Sequence, residues 1–359
     1  MSSDLKDEIP EAGKKTEWTA YHTLIKKVVD KCIPWSAILE LTYRCNFRCV
    51  QCYILQERAS DELSTEEVKD LCGQLAKAGT LYLILTGGEP FVRKDLFDIL
   101  DHAKKLHFAV TIQTNGSLLT ESVVDRLAQY KNLMGLAVSF YAGSRELFEK
   151  IVQVPGSYDR VFRGVQYAVS KKIRVRLKTP IISSNLCTLD KMKEFAKELN
   201  LVYRYTPIIT PKDDGSKENL ENRLTDEELK SFLRGEKMEN LYRDPVDIRA
   251  PVCTAARSQV AVSPTGEVYP CIQIRKSAGN IRNKPFSELW KSDIFKPYRT
   301  LTMADIEKCS VCDLQGYCSP CMGLAEIEHG SITIPPSEYC RLAAIKKEIY
   351  NEKKNKKSS

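Results

Sequence analysis

The residues best able to do chemistry in this chain are its 13 cysteines. Three form Cys45-x3-Cys49-x2-Cys52, seven lie between Cys253 and Cys340, and Cys32, Cys72 and Cys187 are scattered. With no secretory signal ahead of them, so many thiols read as metal or cluster ligands rather than a disulfide framework, and an odd total cannot pair completely. Three thiolates with no histidine nearby make a poor closed zinc site, which wants four ligands. They suit a 4Fe-4S cube held at three corners, with one iron open to a small molecule. A zinc knuckle that borrows a distant ligand is the competing reading of this spacing alone.

The elements that must position these thiols are also written in the pattern. Short apolar or β-branched runs at 37–41, 81–85, 108–111, 134–140, 173–179 and 201–206 predict strands. Helices lie between them. Ser64 with Glu67 forms a capping box before Val68, Leu71, Cys72 and Leu75, with Gly79 where the helix stops; this places Cys72 in the core. Thr120 is positioned to cap the next helix, and Thr188 to cap one carrying Met192, Phe195, Ala196 and Leu199. Six strand-helix units in series imply a parallel sheet, either doubly wound or curled into a partial barrel. The cysteine triplet follows the first strand, at the carboxyl end of the sheet, where such folds keep their active sites. Thr86-Gly87-Gly88-Glu89-Pro90 follows the second strand and Gln113-Thr114-Asn115-Gly116 the third, so three loops converge on one face. Paired glycines there let a backbone come close to a ligand.

At 359 residues the chain has room for about two domains. Its longest apolar stretches, such as 81–85, fall far short of the ~18 residues of a membrane span, and its N-terminus is polar and acidic, so a cytoplasmic location without membrane contact is expected. Of the net charge of +7, the six Lys and two Glu of residues 346–359 supply +4; this reads as a solvated tail, and the body carries no nucleic-acid footprint. A turn-rich segment at 211–216, followed by a helix capped by Thr225 and Glu228, marks a domain edge. The expected division is an N-terminal extension over 1–36, a sheet domain over 37–245, a cysteine-rich domain over 246–345 and the Lys-rich tail over 346–359.

Taken together, Cys45-x3-Cys49-x2-Cys52 followed by Tyr53, the Gly87-Gly88-Glu89-Pro90 loop and Thr114-Asn115-Gly116 resemble the radical S-adenosylmethionine (radical SAM) superfamily across residues 37–210. The resemblance implies an α/β fold, a partial (β/α)6 TIM-like barrel with a small C-terminal iron-sulfur domain. It implies that Cys45, Cys49 and Cys52 hold a 4Fe-4S cluster whose open iron chelates S-adenosylmethionine. Reductive cleavage would then release methionine and a 5′-deoxyadenosyl radical that takes a substrate hydrogen. Gly87, Gly88, Glu89, Pro90, Thr114 and Asn115 would bind the cofactor, with Ser139 toward the ribose and Lys150 toward the carboxylate.

The remaining cysteines read Cys253-x12-Gly266-x4-Cys271, then Cys309-x2-Cys312-x5-Cys318-x2-Cys321, then x18 to Cys340. With Gly279-Asn280-Ile281 and Trp290 they resemble the SPASM domain, an auxiliary-cluster module. That resemblance implies one auxiliary 4Fe-4S cluster on Cys309, Cys312, Cys318 and Cys340 and another on Cys253, Cys271 and Cys321, whose fourth position is either open to bind substrate directly or closed by a water, Gln273 or a leftover cysteine. Cys318 and Cys321 stand one residue closer than the family's usual spacing, and paired zinc ribbons are the alternative for an isolated domain. Enzymes of this kind act mainly on peptides, so the expected substrate is a ribosomally made peptide or protein. The alternatives are tetrapyrrole (heme or heme d1) or other small-molecule biosynthesis and, from another class, a non-catalytic iron-sulfur electron carrier or scaffold. Residues 272–287 contain no Asp or Glu, which weakens a sulfatase-maturing role. About 36 residues precede the first strand, leaving leader recognition to a separate protein or to the barrel surface itself, and an electron donor such as flavodoxin or ferredoxin would supply electrons. None of His22, His102, His107 and His329 is assigned as a general base.

Overall fold

The structure, a computed structural model, describes residues 15–55, 60–245 and 247–358; the acidic start of the chain lies outside them. Eight strands form one sheet in the order β6-β5-β4-β3-β2-β1-β7-β8. They are β1 (Ser36–Glu40), β2 (Tyr82–Thr86), β3 (Ala109–Thr114), β4 (Leu133–Ser139), β5 (Val175–Pro180), β6 (Val202–Thr206), β7 (Gln259–Val262) and β8 (Val268–Tyr269). The first six are parallel and each neighbours the next in sequence. A doubly wound sheet reverses its strand order at a switch point; β1 to β6 run on in sequence without one, and β7 adds on the other side of β1 only after that run is complete, which is the order of the partial barrel.

Helix α1 (Lys15–Asp30) precedes β1; the helices between strands are α2 (Thr65–Lys77), α3 (Leu96–Lys105), α4 (Glu121–Leu127), α5 (Arg145–Val152), α6 (Ser157–Ser170), α7 (Leu189–Glu198) and α8 (Asp226–Arg234), followed after β8 by α9 (Met322–His329) and α10 (Ser337–Ser358). The capping boxes of Ser64 with Glu67 and of Thr225 with Glu228 are complete, and Gly79 ends α2 at φ +95°. Thr120 caps α4 through the Val123 N–H. Thr188 stands ahead of α7 but does not cap it. A 3-10 turn at Leu186–Thr188 runs straight into that helix, and the Thr188 hydroxyl donates to the Asn185 carbonyl while accepting from the Gly143 N–H.

β7, from the cysteine-rich segment, pairs with β1 in parallel, Ile38 opposite Ala261. One hydrophobic core therefore runs from Ala37 through Val260, Val262 and Phe286, and Cys72 is fully buried in it. A second, small cluster of Leu301, Met303, Ile306 and Met322 lies under the last cysteines. The Lys-rich C-terminus is not a solvated tail, because it forms the later turns of α10. Ile349 is fully buried, Tyr350 packs on Tyr242 and Tyr317, and Glu348 and Glu352 pair with Lys230 and Arg234 of α8 at 2.8 and 3.1 Å. Among the described residues no helix is long and apolar enough to cross a membrane.

Candidate active site

The loop after β1 is pinned by its own non-cysteine residues. Phe47, 1 % exposed, inserts between Cys45 and Cys49 and meets Phe148 of α5 edge to face. The N–H groups of Arg48 and Val50 donate to the carbonyls of Val152 and Ile151 at the end of α5, both at 3.0 Å. This turns Cys45, Cys49 and Cys52 onto one cavity, which Gly87, Gly88, Gln113, Thr114, Asn115, Ser139, Tyr141 and Pro180 also line. The cavity is open to solvent at its mouth, and the space within it, that mouth included, is ≈ 810 Å³.

Burial pushes the Cys45 thiol up to about 11 and raises Cys49 and Cys52 as well, and each of the three thiols is raised further by a neighbouring negative group. Such thiols stay neutral unless a cationic group enters between them, and a coordinated thiol is deprotonated outright. The Tyr141 hydroxyl reaches the Cys49 sulfur, and Asn115 Nδ2 donates to Cys45 Sγ at 3.7 Å. Among the described residues no three His, Cys, Asp or Glu gather around a single-ion position.

The glycine pair serves a different contact from the one expected of it. A Cβ on Gly87 would meet the Thr42 carbonyl oxygen at 2.4 Å, and one on Gly88 the Arg44 carbonyl oxygen at 2.3 Å. The close approach is thus between two loops of the chain itself, sealed by Gly88 N–H to Thr42 O at 2.7 Å and Glu89 N–H to Arg44 O at 2.9 Å. Glu89, fully buried, faces away from the cavity. Its carboxylate accepts from the Thr114 hydroxyl (2.7 Å), the Asn115 N–H (2.6 Å) and the Phe91 N–H (3.1 Å). Burial pushes it up to about 7 while those three donors pull it back. Pro90 starts a short 3-10 turn behind it. Glu89 therefore clamps the second loop to the third.

The other seven thiols fall into two electrostatic groups. Burial raises Cys309, Cys318 and Cys340, and neighbouring thiols among Cys309, Cys312 and Cys340 raise them further; burial likewise raises Cys253 and Cys271, with Cys321 raising both and Cys253 also raising Cys271. Cys321 reaches the second group because Gly323 packs on the Gln273 backbone, where a Cβ would stand 2.6 Å from the Gln273 carbonyl oxygen. Helix α9 begins directly after Cys321, so the short spacing from Cys318 is absorbed at a helix N-terminus.

Comparison with known proteins agrees with this geometry. Residues 39–197 match the Radical SAM superfamily and residues 253–322 an iron-sulfur cluster-binding domain of the SPASM type. The chain belongs to the radical SAM superfamily. Its cofactors are 4Fe-4S clusters and S-adenosylmethionine. The chain is 27% identical over 84% of its length to the AdoMet-dependent heme synthase of Methanosarcina barkeri, covering 94% of that protein. It is 26% identical over 80% of its length to the subtilosin biosynthesis protein AlbA of Bacillus subtilis, covering 67% of it. The structure of Streptococcus suis SuiB bound to its precursor peptide SuiA superposes with a TM-score of 0.64 at 18% identity, covering 93% of this chain and 83% of that one.

Ser139 lies on the cavity wall of this radical SAM protein, as expected, but Lys150 does not. It is exposed on α5, outside the residues that line the cavity, because the helix turns Phe148, Ile151 and Val152 inward. Lys150→Ala is expected to leave S-adenosylmethionine cleavage within about twofold of wild type, as exposed substitutions usually do; 5′-deoxyadenosine release measures it.

Sequence reading missed Tyr141, although its place just past the end of β4 was the available signal. It also missed a buried ion pair. Arg275 grips Glu40, the last residue of β1, with two bonds of 2.6 and 2.9 Å, and its guanidinium lies over the Tyr269 ring. Glu40 is 2 % exposed. Arg275→Ala would leave that carboxylate buried and alone, at a cost of about 3 kcal/mol. Denaturant titration of the apo-protein checks this, and a Glu40→Met/Arg275→Met double variant should recover part of the loss.

Proposed function

We propose that this protein is a radical SAM enzyme that modifies a ribosomally made peptide or protein. The observation that carries the reading is the convergence of three buried thiols with the loops after β2, β3 and β4 on one cavity at the carboxyl ends of the strands. In this reading Cys45, Cys49 and Cys52 hold the 4Fe-4S cluster, and Gly87, Gly88, Thr114, Asn115 and Ser139 form the wall against which S-adenosylmethionine lies. When bound, these groups supply one-electron reductive cleavage of the sulfonium and hydrogen abstraction from the substrate. The chain's own part is to hold the thiols apart, keep water out with Phe47 and Tyr141, and fix the loops through Glu89.

The nearness of Cys340, Cys309 and Cys312 to Cys318, and of Cys321 and Cys253 to Cys271, felt as a rise in each central thiol, supports one auxiliary cluster on Cys309, Cys312, Cys318 and Cys340 and a second on Cys253, Cys271 and Cys321. Cys340→Ala is expected to lower the iron of the reconstituted protein from about twelve to about eight per chain, read by iron and sulfide analysis. We assign residues 37–245 to the barrel and 246–345 to the auxiliary-cluster domain. We further assign the protein to the cytoplasm, with a flavodoxin or ferredoxin as reductant and a separate protein to recognise a leader.

AlbA and SuiB, whose names refer to bacteriocin biosynthesis and a precursor peptide, support the peptide substrate. The heme synthase of Methanosarcina barkeri, matched over nearly its whole length, supports tetrapyrrole synthesis as the second reading. Reconstituted enzyme incubated with S-adenosylmethionine, a strong reductant and either short peptides encoded beside its gene or an iron porphyrin decides between them. Peptide mass changed in step with 5′-deoxyadenosine supports the first reading. A changed porphyrin with unchanged peptides overturns it in favour of the second.

A further inference from the structure

The two edges of the sheet are finished differently. β8 is covered on its outer side, where the Val268 N–H donates to the Gly279 carbonyl at 3.0 Å and the Val268 carbonyl accepts from the Ala278 N–H at 2.8 Å. β6, at the opposite edge, pairs with β5 alone. The Thr206 carbonyl accepts from the Ile181 N–H at 2.8 Å, so Thr206 turns its backbone groups toward β5. Backbone direction alternates along a strand. Arg204 therefore does the same as Thr206, while Tyr203 and Tyr205 turn their N–H and C=O groups outward. Among the described residues nothing bonds to the outward N–H and C=O of these two tyrosines.

Open strand edges invite pairing with another chain, and proteins usually blunt them with Lys, Pro, a bulge or a cover. Neither outward residue here is Lys or Pro. Of the eight strands described, β6 is the one that carries exposed residues, Val202 and Thr206. The edge is nonetheless fixed from behind. The Tyr203 hydroxyl donates to Thr179 Oγ1 at 3.0 Å, the Tyr205 hydroxyl donates to the Glu236 carboxylate at 2.8 Å, and the two rings sit 5.1 Å apart. Outward backbone groups that recur every ~7 Å match the repeat of a second extended chain, which offers the complementary groups at the same spacing. The position of the edge points to which chain. Thr206 stands opposite Pro180, and Pro180 lines the thiol cavity. With strands about 4.8 Å apart, an added strand would run roughly 10 Å from that wall, the reach of about three extended residues.

We infer that the open edge of β6 binds the peptide substrate as an added strand, pairing with the backbone of Tyr203 and Tyr205 beside the thiol cavity. This rests on the peptide reading of the proposed function. The edge takes the segment about three residues from the reacting one, so a separate protein is still left to recognise a leader. Backbone pairing reads an extended shape more than it reads side chains. The substrate class is therefore a peptide that is extended and free of Pro next to its reacting residue, and its sequence there is otherwise loosely restricted.

The test is amide hydrogen exchange on the full reconstituted protein, followed by mass spectrometry over residues 202–206. The probes are the short peptides encoded beside its gene and, as a generic strand, the hexapeptide Thr-Val-Thr-Val-Thr-Val. Saturating peptide is expected to slow exchange of the Tyr203 and Tyr205 amides about tenfold and to leave β8 unchanged. Tyr205→Pro removes an outward N–H without taking a bond from β5. It is expected to weaken peptide binding about tenfold relative to Tyr205→Ala, which loses the same ring but keeps the N–H, the scale of one hydrogen bond. Iron content checks that both variants fold, and the wild-type exchange result stands without them. Unchanged exchange at 202–206 with every probe overturns the inference, and so does equal affinity of the folded Pro and Ala variants. Slow exchange before any peptide is added also overturns it. If that protection rises with protein concentration the edge belongs to a second copy, and if it does not the edge belongs to residues 1–14 of the same chain. Release of 5′-deoxyadenosine is measured in parallel. Its absence beside a peptide-protected edge defeats the proposed function and leaves the edge a peptide site, whereas its presence with an unprotected edge defeats only the added strand.

Discussion

Cys49→Ala is expected to abolish 5′-deoxyadenosine formation while leaving the barrel folded. Cys49 is the middle thiol of the triplet and touches the Tyr141 hydroxyl. Without it the remaining pair, Cys45 and Cys52, cannot hold three corners of a 4Fe-4S cube. The fold should survive, because the loop is anchored elsewhere: by Phe47 in the core and by the N–H groups of Arg48 and Val50 on the end of α5. Removing a thiol from a cavity wall costs far less than removing either anchor. Reconstitution should give a protein with the barrel cluster missing, the auxiliary iron retained, an unchanged far-UV spectrum and no product by mass spectrometry. Wild-type-like product from the variant would show that the triplet is not the reacting centre. An unfolded variant would show that the thiols hold the loop together, and the scaffold reading would gain.

Gly88→Ala is expected to be nearly as damaging, by a different route. Its Cβ would sit 2.3 Å from the Arg44 carbonyl oxygen and 2.7 Å from the Tyr43 carbonyl oxygen, and both are backbone atoms that cannot swing aside. The loops after β1 and β2 must part, losing the bonds from Gly88 and Glu89 to Thr42 and Arg44. Overpacking and two lost hydrogen bonds together cost about 3 kcal/mol. The catalytic effect is larger than the stability effect, because a displacement of about 1 Å in a positioned site can cost on the order of 100-fold in rate. The matched control is Gly73→Ala in the interior of α2, where the added methyl meets nothing within 4 Å. It should be neutral or stabilise by up to ~1 kcal/mol. Denaturant midpoints and 5′-deoxyadenosine rates for the pair separate a clash specific to Gly88 from a general dislike of alanine.

Much of this protein is local, and its local parts were legible. Alternation and capping boxes located the six barrel strands to within a few residues and the starts of α2, α4 and α8. The triplet spacing and the two following loops pointed to a shared cavity because both rest on short-range chain geometry. What escaped depends on partners far away in sequence. Nothing near Glu40 announces Arg275, and nothing near Gly88 announces that the backbone it approaches is that of Arg44 instead of a ligand. Lys150 was placed by distance along the chain, but its helix is oriented by Phe148, Ile151 and Val152. The Lys-rich end reads as a tail by composition, yet Leu342, Ile345 and Ile349 recur at helical spacing and are buried.

The pairing of β7 with β1 also sets an order of assembly. Ile38 waits for Ala261, so the strand that carries the cysteine loop stays an open edge until most of the chain has left the ribosome. Contacts that join such distant segments are slow to close, and exposed edges meanwhile invite wrong partners. A premature stop anywhere ahead of β7 would therefore yield a barrel fragment with β1 as an uncapped edge. Expression yield should depend more steeply on the integrity of residues 259–262 than their modest number suggests.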